Sequence, residues 1–132
     1  MYVLWERADY LQEIMKKYEI GAEHSIIFKT CCLLFENVRK PNVIGIVSEQ
    51  VNLSHDYIGR LFKNQVKYTL LEFVTQMRIY LAKKQLEETN IKVYELANQL
   101  GYQTTDYFTK LFRKNTNMTP IQYRKWKNNG IV

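Results

Sequence analysis

Proline occurs twice and glycine five times in 132 residues, and no run alternates apolar and polar residues between hairpin turns. That scarcity argues against a β fold and leaves an all-α protein as the expectation. No apolar stretch approaches the ~20 residues needed to span a bilayer. Met1–Glu6 has neither a basic n-region nor an apolar h-region, so neither a membrane helix nor a secretory leader is expected, and the chain reads as cytoplasmic. Cysteine is confined to Cys31 and Cys32. Adjacent residues do not readily reach disulfide geometry, so one or both are expected to be buried on a helix. His24 and His55 are isolated, and no metal site is implied. No base or oxyanion constellation accompanies the thiols, so neither catalysis nor a cofactor is expected.

Acid is missing from the C-terminal end. All thirteen acidic residues lie at or before Asp106, and residues 1–106 balance them with thirteen basic ones. Beyond that point stand Lys110, Arg113, Lys114, Arg124, Lys125 and Lys127 with nothing opposite, which accounts for the net charge of +6. Polyanions bind such surfaces by counterion release; a solubilising tail is the plainer reading of charge alone.

What is present is a repeat. Asp56-Tyr57-Ile58-Gly59-Arg60-Leu61-Phe62-Lys63 returns as Asp106-Tyr107-Phe108-Thr109-Lys110-Leu111-Phe112-Arg113. Thr69 and Phe73 recur as Thr119 and Tyr123 at the same offset, while Val47 and Val51 pair with Leu96 and Leu100 one residue closer. The slip falls at Gln103, where a turn belongs. Two copies of one small helical unit set the architecture. Aromatic residues, at 14% of the chain, are ample for two small cores.

Local signals divide each copy. Leu4, Ala8, Leu11, Met15 and Tyr18 form a short heptad seam over residues 3–19, ending at a cap on Gly21. This seam packs either on the chain's own core or on a second copy. A helix over about 25–38 buries Ile27, Cys31, Leu34, Phe35 and Val38, and a short one follows over about 43–51. After Asn52-Leu53-Ser54, Ser54 caps a helix from His55 to about Gln65 that buries Ile58, Leu61 and Phe62, with Asp56 at the positive end of its dipole. Thr69-Leu70-Leu71-Glu72 is a capping box opening a helix to about Glu88, roughly 28 Å long. The second copy repeats the plan: a short helix over 93–100, the turn Gly101-Tyr102-Gln103, a helix capped by Thr104, and a second box at Thr119-Pro120-Ile121-Gln122 with proline at N1. Short helix, tight turn and a second helix with outward basic residues is the outline of a helix-turn-helix.

These residues resemble the AraC/XylS family of bacterial transcription regulators over about residues 26–127. The resemblance is carried by Tyr57-x-x-Arg60-Leu61-Phe62-Lys63, Arg78-Ile79-x-x-Ala82-x-x-x-Leu86, Glu95-Leu96-Ala97-x-x-Leu100-Gly101-Tyr102, Tyr107-Phe108-x-x-x-Phe112 and Thr119-Pro120-x-x-Tyr123-Arg124. It implies two helix-turn-helix subdomains, about 43–65 and 93–115, joined by a linker helix over about 70–88 and followed by a final helix over 120–127. Residues 1–24 are set apart as a linker or dimer contact. The implied function is sequence-specific binding of double-stranded DNA, with recognition helices in successive major grooves, to regulate transcription. A protein-interaction module is the alternative, as is the DNA-binding part of a larger signal-responsive regulator. RNA polymerase and a homodimer through residues 3–19 are weighed as further partners.

Carried over by position, Asp56, Tyr57, Gly59, Arg60 and Lys63 face DNA in the first copy, and Thr105, Asp106, Thr109, Lys110 and Arg113 in the second. Asp56 and Asp106 share one position, which favours helix-start stabilisation over cytosine recognition. Arg78 is expected in a structural ion pair. The family usually places glycine after each recognition helix; Lys67 and Asn117 stand there instead, so a reshaped exit is expected at Lys67, where a left-handed backbone carries a cost.

Overall fold

The computed structural model describes residues 25–129. The heptad seam over 3–19, its cap at Gly21 and the dimer contact assigned to it lie outside the described residues. Within them are seven helices and no strand: α1 (Ser25–Glu36), α2 (Val43–Gln50), α3 (His55–Val66), α4 (Leu70–Glu88), α5 (Val93–Gln99), α6 (Thr105–Thr116) and α7 (Pro120–Asn129). The chain divides into two compact units. The first comprises described residues up to Val38 together with Asn42–Met77, and the second comprises Arg39–Pro41 with the chain from Arg78 onward.

In the first unit, apolar residues at helical spacing turn inward from each element. Ile27, Cys31, Leu34 and Phe35 of α1 are buried, as are Val43 and Val47 of α2, Ile58, Phe62 and Val66 of α3, and Phe73, Val74 and Met77 of α4. Phe62 meets Phe73 edge-on, with ring centroids 5.1 Å apart. Leu61, expected in this core, is only half-buried. The first helix ends two residues earlier than its apolar pattern suggests; just beyond it the buried Asn37 side chain donates to the Leu33 carbonyl at 2.8 Å and to Gln50 Oε1 at 3.3 Å.

The turn of each helix-turn-helix is a Schellman motif, in which a left-handed residue lets two amides reach back to the last carbonyls of the helix. In the first copy Asn52 (φ 58°) donates to Glu49 O at 3.1 Å and Leu53 to Ser48 O at 3.2 Å. In the second, Gly101 (φ 87°) donates to Asn98 O at 3.1 Å and Tyr102 to Ala97 O at 3.0 Å. Identical bonding from unlike residues follows from one requirement, a positive φ, that asparagine and glycine both meet.

Caps fix where the second helices begin. Ser54 Oγ accepts from the Tyr57 amide at 3.1 Å, and Thr104 Oγ1 from the Tyr107 amide at 3.2 Å. Both capping boxes close: Thr69 and Glu72 exchange bonds of 2.9 and 3.0 Å, and Thr119 and Gln122 bonds of 2.9 and 3.2 Å. The exits of α3 and α6 are also alike. Lys67 (φ 72°) and Asn117 (φ 63°) are left-handed, and each donates to the carbonyl four residues back, Lys63 or Arg113, at 2.8 Å. The reshaped exit expected at Lys67 is thus corrected: lysine adopts the conformation that glycine would. A non-glycine residue there gives up about 1–2 kcal/mol. Lys67 is exposed, so Lys67→Gly removes strain without removing packing. It should raise unfolding stability by about 1 kcal/mol, seen as a higher urea midpoint at unchanged slope; an unchanged or lower midpoint would contradict this account.

The second unit is built around aromatic residues. Tyr102 and Phe108 lie 5.5 Å apart between centroids, Phe108 and Phe112 5.9 Å, Phe112 and Tyr123 5.6 Å, and Tyr123 and Trp126 5.8 Å. Leu81, Ala82 and Leu86 of α4 and Leu96 and Ala97 of α5 complete the core. The Tyr123 hydroxyl donates to Glu87, and burial together with that carboxylate pushes the phenol well above its ordinary pKa. Arg124, counted by sequence among the unopposed cations, is engaged. Its Nε donates to Leu86 O at 3.2 Å, and its Nη2 to Thr89 O at 3.2 Å and Ile91 O at 2.7 Å. It therefore caps the negative end of α4.

Arg78 is buried, and its Nη2 donates to the Lys40 carbonyl at 2.7 Å while the guanidinium lies 4.8 Å above the Tyr102 ring. A backbone carbonyl and a π face are thus among the contacts that hold it. Gly101 makes room beside it: a Cβ there would stand 2.9 Å from both Arg39 O and Arg78 Nη2.

Candidate nucleic-acid interface

Ile58, Phe62 and Val66 anchor the inner face of α3, and Phe108 and Phe112 that of α6. The opposite face of each helix carries the residues predicted from sequence. On α3, Asp56, Arg60 and Lys63 are exposed and Gly59 half-exposed; on α6, Asp106, Lys110 and Arg113 are exposed and Thr109 half-exposed. Spacings of three and four residues align each quartet on one face. Tyr57 and Thr105 flank the quartets near the helix starts, Tyr57 exposed and Thr105 half-exposed. The structure thus groups all ten predicted residues into two sets, five on each second helix.

A Cβ placed on Gly59 would meet nothing within 4 Å. Gly59 lines a groove of about 500 Å³ together with Ile44, Leu70, Leu71, His55, Asp56, Arg60 and Lys63. The Glu72 carboxyl stands nearby. The Thr69 amide holds it below the ordinary carboxylate pKa, and the charge of Lys63 adds to the effect.

Several surface residues carry no signal in composition or charge. Leu71 is 60% exposed and Ile121 56%, at matching positions two residues after their box threonines. Comparing the two boxes would have found them, since both place a large aliphatic residue on the solvent side of a helix start. Tyr94 and Tyr107 are also exposed. On α7, Lys127 Nζ lies 5.1 Å from the centre of the exposed Trp126 ring.

Burial pushes the Cys31 thiol up to about 12, with Cys32 beside it adding to the shift, so it holds its proton at neutral pH. Among the described residues no group of three His, Cys, Asp or Glu could hold a metal ion, and no helix is long and apolar enough to cross a membrane.

A helix-turn-helix domain family matches residues 47–125, spanning both copies. The chain is 32% identical over 89 residues to the regulatory protein SoxS of Salmonella typhimurium, an alignment covering 67% of this chain and 83% of SoxS. The chain belongs to the AraC/XylS family of DNA-binding transcription regulators. Its fold is similar to the C-terminal domain of AraT, a response regulator from Geobacillus stearothermophilus, with a TM-score of 0.73 and 25% identity, covering 76% of this chain and 84% of that one. The DNA-binding domain of AdpA, solved in complex with a target DNA, shares the fold with a TM-score of 0.71 at 17% identity, covering 79% of this chain and 96% of that one. The AraC/XylS assignment explains why the repeated letters are mostly those of caps and cores. Two members of one fold need the same scaffold, whatever each one reads.

Proposed function

We propose that this AraC/XylS-family chain regulates transcription by reading specific duplex DNA with α3 and α6, each laid in a major groove. The observation that carries the reading is the pair of outward quartets, Asp56-Gly59-Arg60-Lys63 and Asp106-Thr109-Lys110-Arg113, on identically capped helices. Arg60 is assigned to base reading, since a guanidinium bonds guanine O6 and N7 together. Thr109 suits a thymine methyl or base edge, and Lys110 approaches a guanine as a single charge. Lys63, Arg113 and Lys114 hold phosphates and set register. Asp56 and Asp106 stabilise the helix starts. RNA polymerase is the proposed partner in regulation, and a second copy through residues 3–19 the proposed oligomer; sedimentation as a monomer at every concentration would remove the latter.

Selection of bound sequences from a random DNA pool tests the reading. The expected result is one preferred site, bound with steep salt dependence, and weaker binding to scrambled duplex. An interaction module would select nothing. At the selected site, Arg60→Ala should cost about 1–3 kcal/mol and relax preference at one base pair. Equal weakening on all sequences would instead make Arg60 a phosphate clamp.

A further inference from the structure

Tyr107 lies beside the α6 quartet with 53% of its surface exposed. Its ring is nevertheless held. It meets the edge of Tyr102 at 5.9 Å between centroids, with the ring planes 65° apart. Tyr102 is itself only 7% exposed and tilts against Phe108 at 5.5 Å. The Arg78 guanidinium lies over its ring at 4.8 Å and is fixed in turn by the Lys40 carbonyl at 2.7 Å. A buried column therefore runs from main chain through Arg78 and Tyr102 to an exposed phenol on the second helix. The Tyr102 hydroxyl is buried, and desolvation raises its pKa while the charge of Arg78 beside it pulls the other way.

Among the described residues the first copy shows no such support. Tyr57 is equally prominent at 49% exposure, but Leu53 stands where the second copy has Tyr102. A leucine presents no ring edge to a neighbouring aromatic. An exposed side chain loses rotamer freedom when it binds, and one already fixed by packing loses less.

We propose that Tyr107 is a DNA-contacting residue of the second helix-turn-helix, donating its hydroxyl to a backbone phosphate, and that Tyr102 and Arg78 are positioning residues that hold it ready. This rests on the DNA-binding reading above. The phosphate is the fitting partner because the phenol sits on the same helix as Lys110, Arg113 and Lys114, which face solvent without acidic partners later in the chain.

A double-mutant cycle tests it, with affinities measured on the selected site and on scrambled duplex. Tyr107→Phe should weaken both duplexes alike, by about three- to tenfold. Tyr102→Leu, which installs the residue found in the first copy, should weaken binding by a similar factor. It should have no further effect in a Tyr107→Ala background, because the two act as a unit. Tyr102→Phe keeps the ring and should bind as the wild type does. Additive losses in the cycle, or full affinity in Tyr107→Ala, would overturn the proposal while leaving DNA binding intact. A loss confined to the selected site would make Tyr107 a base reader and overturn the phosphate assignment. Should the wild-type chain bind no duplex, the DNA reading and this inference fall together.

Discussion

Gly101→Val should destabilise the second unit by about 3 kcal/mol or more, enough to lower its thermal midpoint by ten degrees or so. Two costs combine. The residue has φ +87°, a conformation costing a side-chain-bearing residue about 1–2 kcal/mol and a β-branched one more. In addition, any Cβ would stand 2.9 Å from the Arg39 carbonyl oxygen and from Arg78 Nη2. The guanidinium could swing away, but only by surrendering its 2.7 Å bond to Lys40 O and its place over Tyr102. G101N separates the two costs, since asparagine tolerates the left-handed backbone yet carries the same Cβ. Asparagine already serves at Asn52, the matching turn of the first unit, where φ is 58°. If G101N proves as stable as the wild type, the close approach is relieved by a small shift and only the φ cost stands.

The second large effect is expected at Arg124. Arg124→Met keeps most of the aliphatic stem and deletes three charge-assisted bonds to Leu86 O, Thr89 O and Ile91 O. A hydrogen bond to a charged group contributes about 1.5–3 kcal/mol, and a cation at a helix C-terminus a further fraction to 1 kcal/mol at exposed sites. Arg124 is only partly buried, so water can take over some of the carbonyls. A net loss of about 2–3 kcal/mol is expected, measured by chemical unfolding. DNA affinity of the folded variant should change little, because this cation does not face outward with Lys125 and Lys127. A large drop in affinity without loss of stability would return Arg124 to the DNA-binding surface.

Arg124 also shows where sequence reasoning runs out. As a letter it counts as one positive charge in a region without acid. Its actual partners are main-chain carbonyls 33 to 38 positions away, and carbonyls carry no residue-type signal. Arg78 adds a contact of the same kind, donating to a main-chain carbonyl in a loop 38 residues earlier. Features written in short-range chemistry were legible. Ser54, Thr104 and the two capping boxes depend on neighbours three residues away, and the buried face of α1 follows from helical period. The exit at Lys67 sits between these cases. Sequence correctly flags a lysine where left-handed backbone is costly, but cannot weigh about 1 kcal/mol of strain against the packing of α3 and α4 within the first unit. At the interface, the quartets follow from the repeat. The column beneath Tyr107 does not, because ring-edge contacts are set by tertiary placement.

The chain passes between its two units three times: after Val38, after Pro41, and inside α4 between Met77 and Arg78. No connecting loop therefore separates one core from the other. A genetic crossover at the segment following α4 would join α5–α7 to a foreign half-helix and to a foreign Arg39–Pro41 strap, leaving Arg78 and Gly101 with unmatched surroundings. The two units of such a protein can diverge by point mutation, one surface residue at a time. They cannot be traded between genes as cassettes.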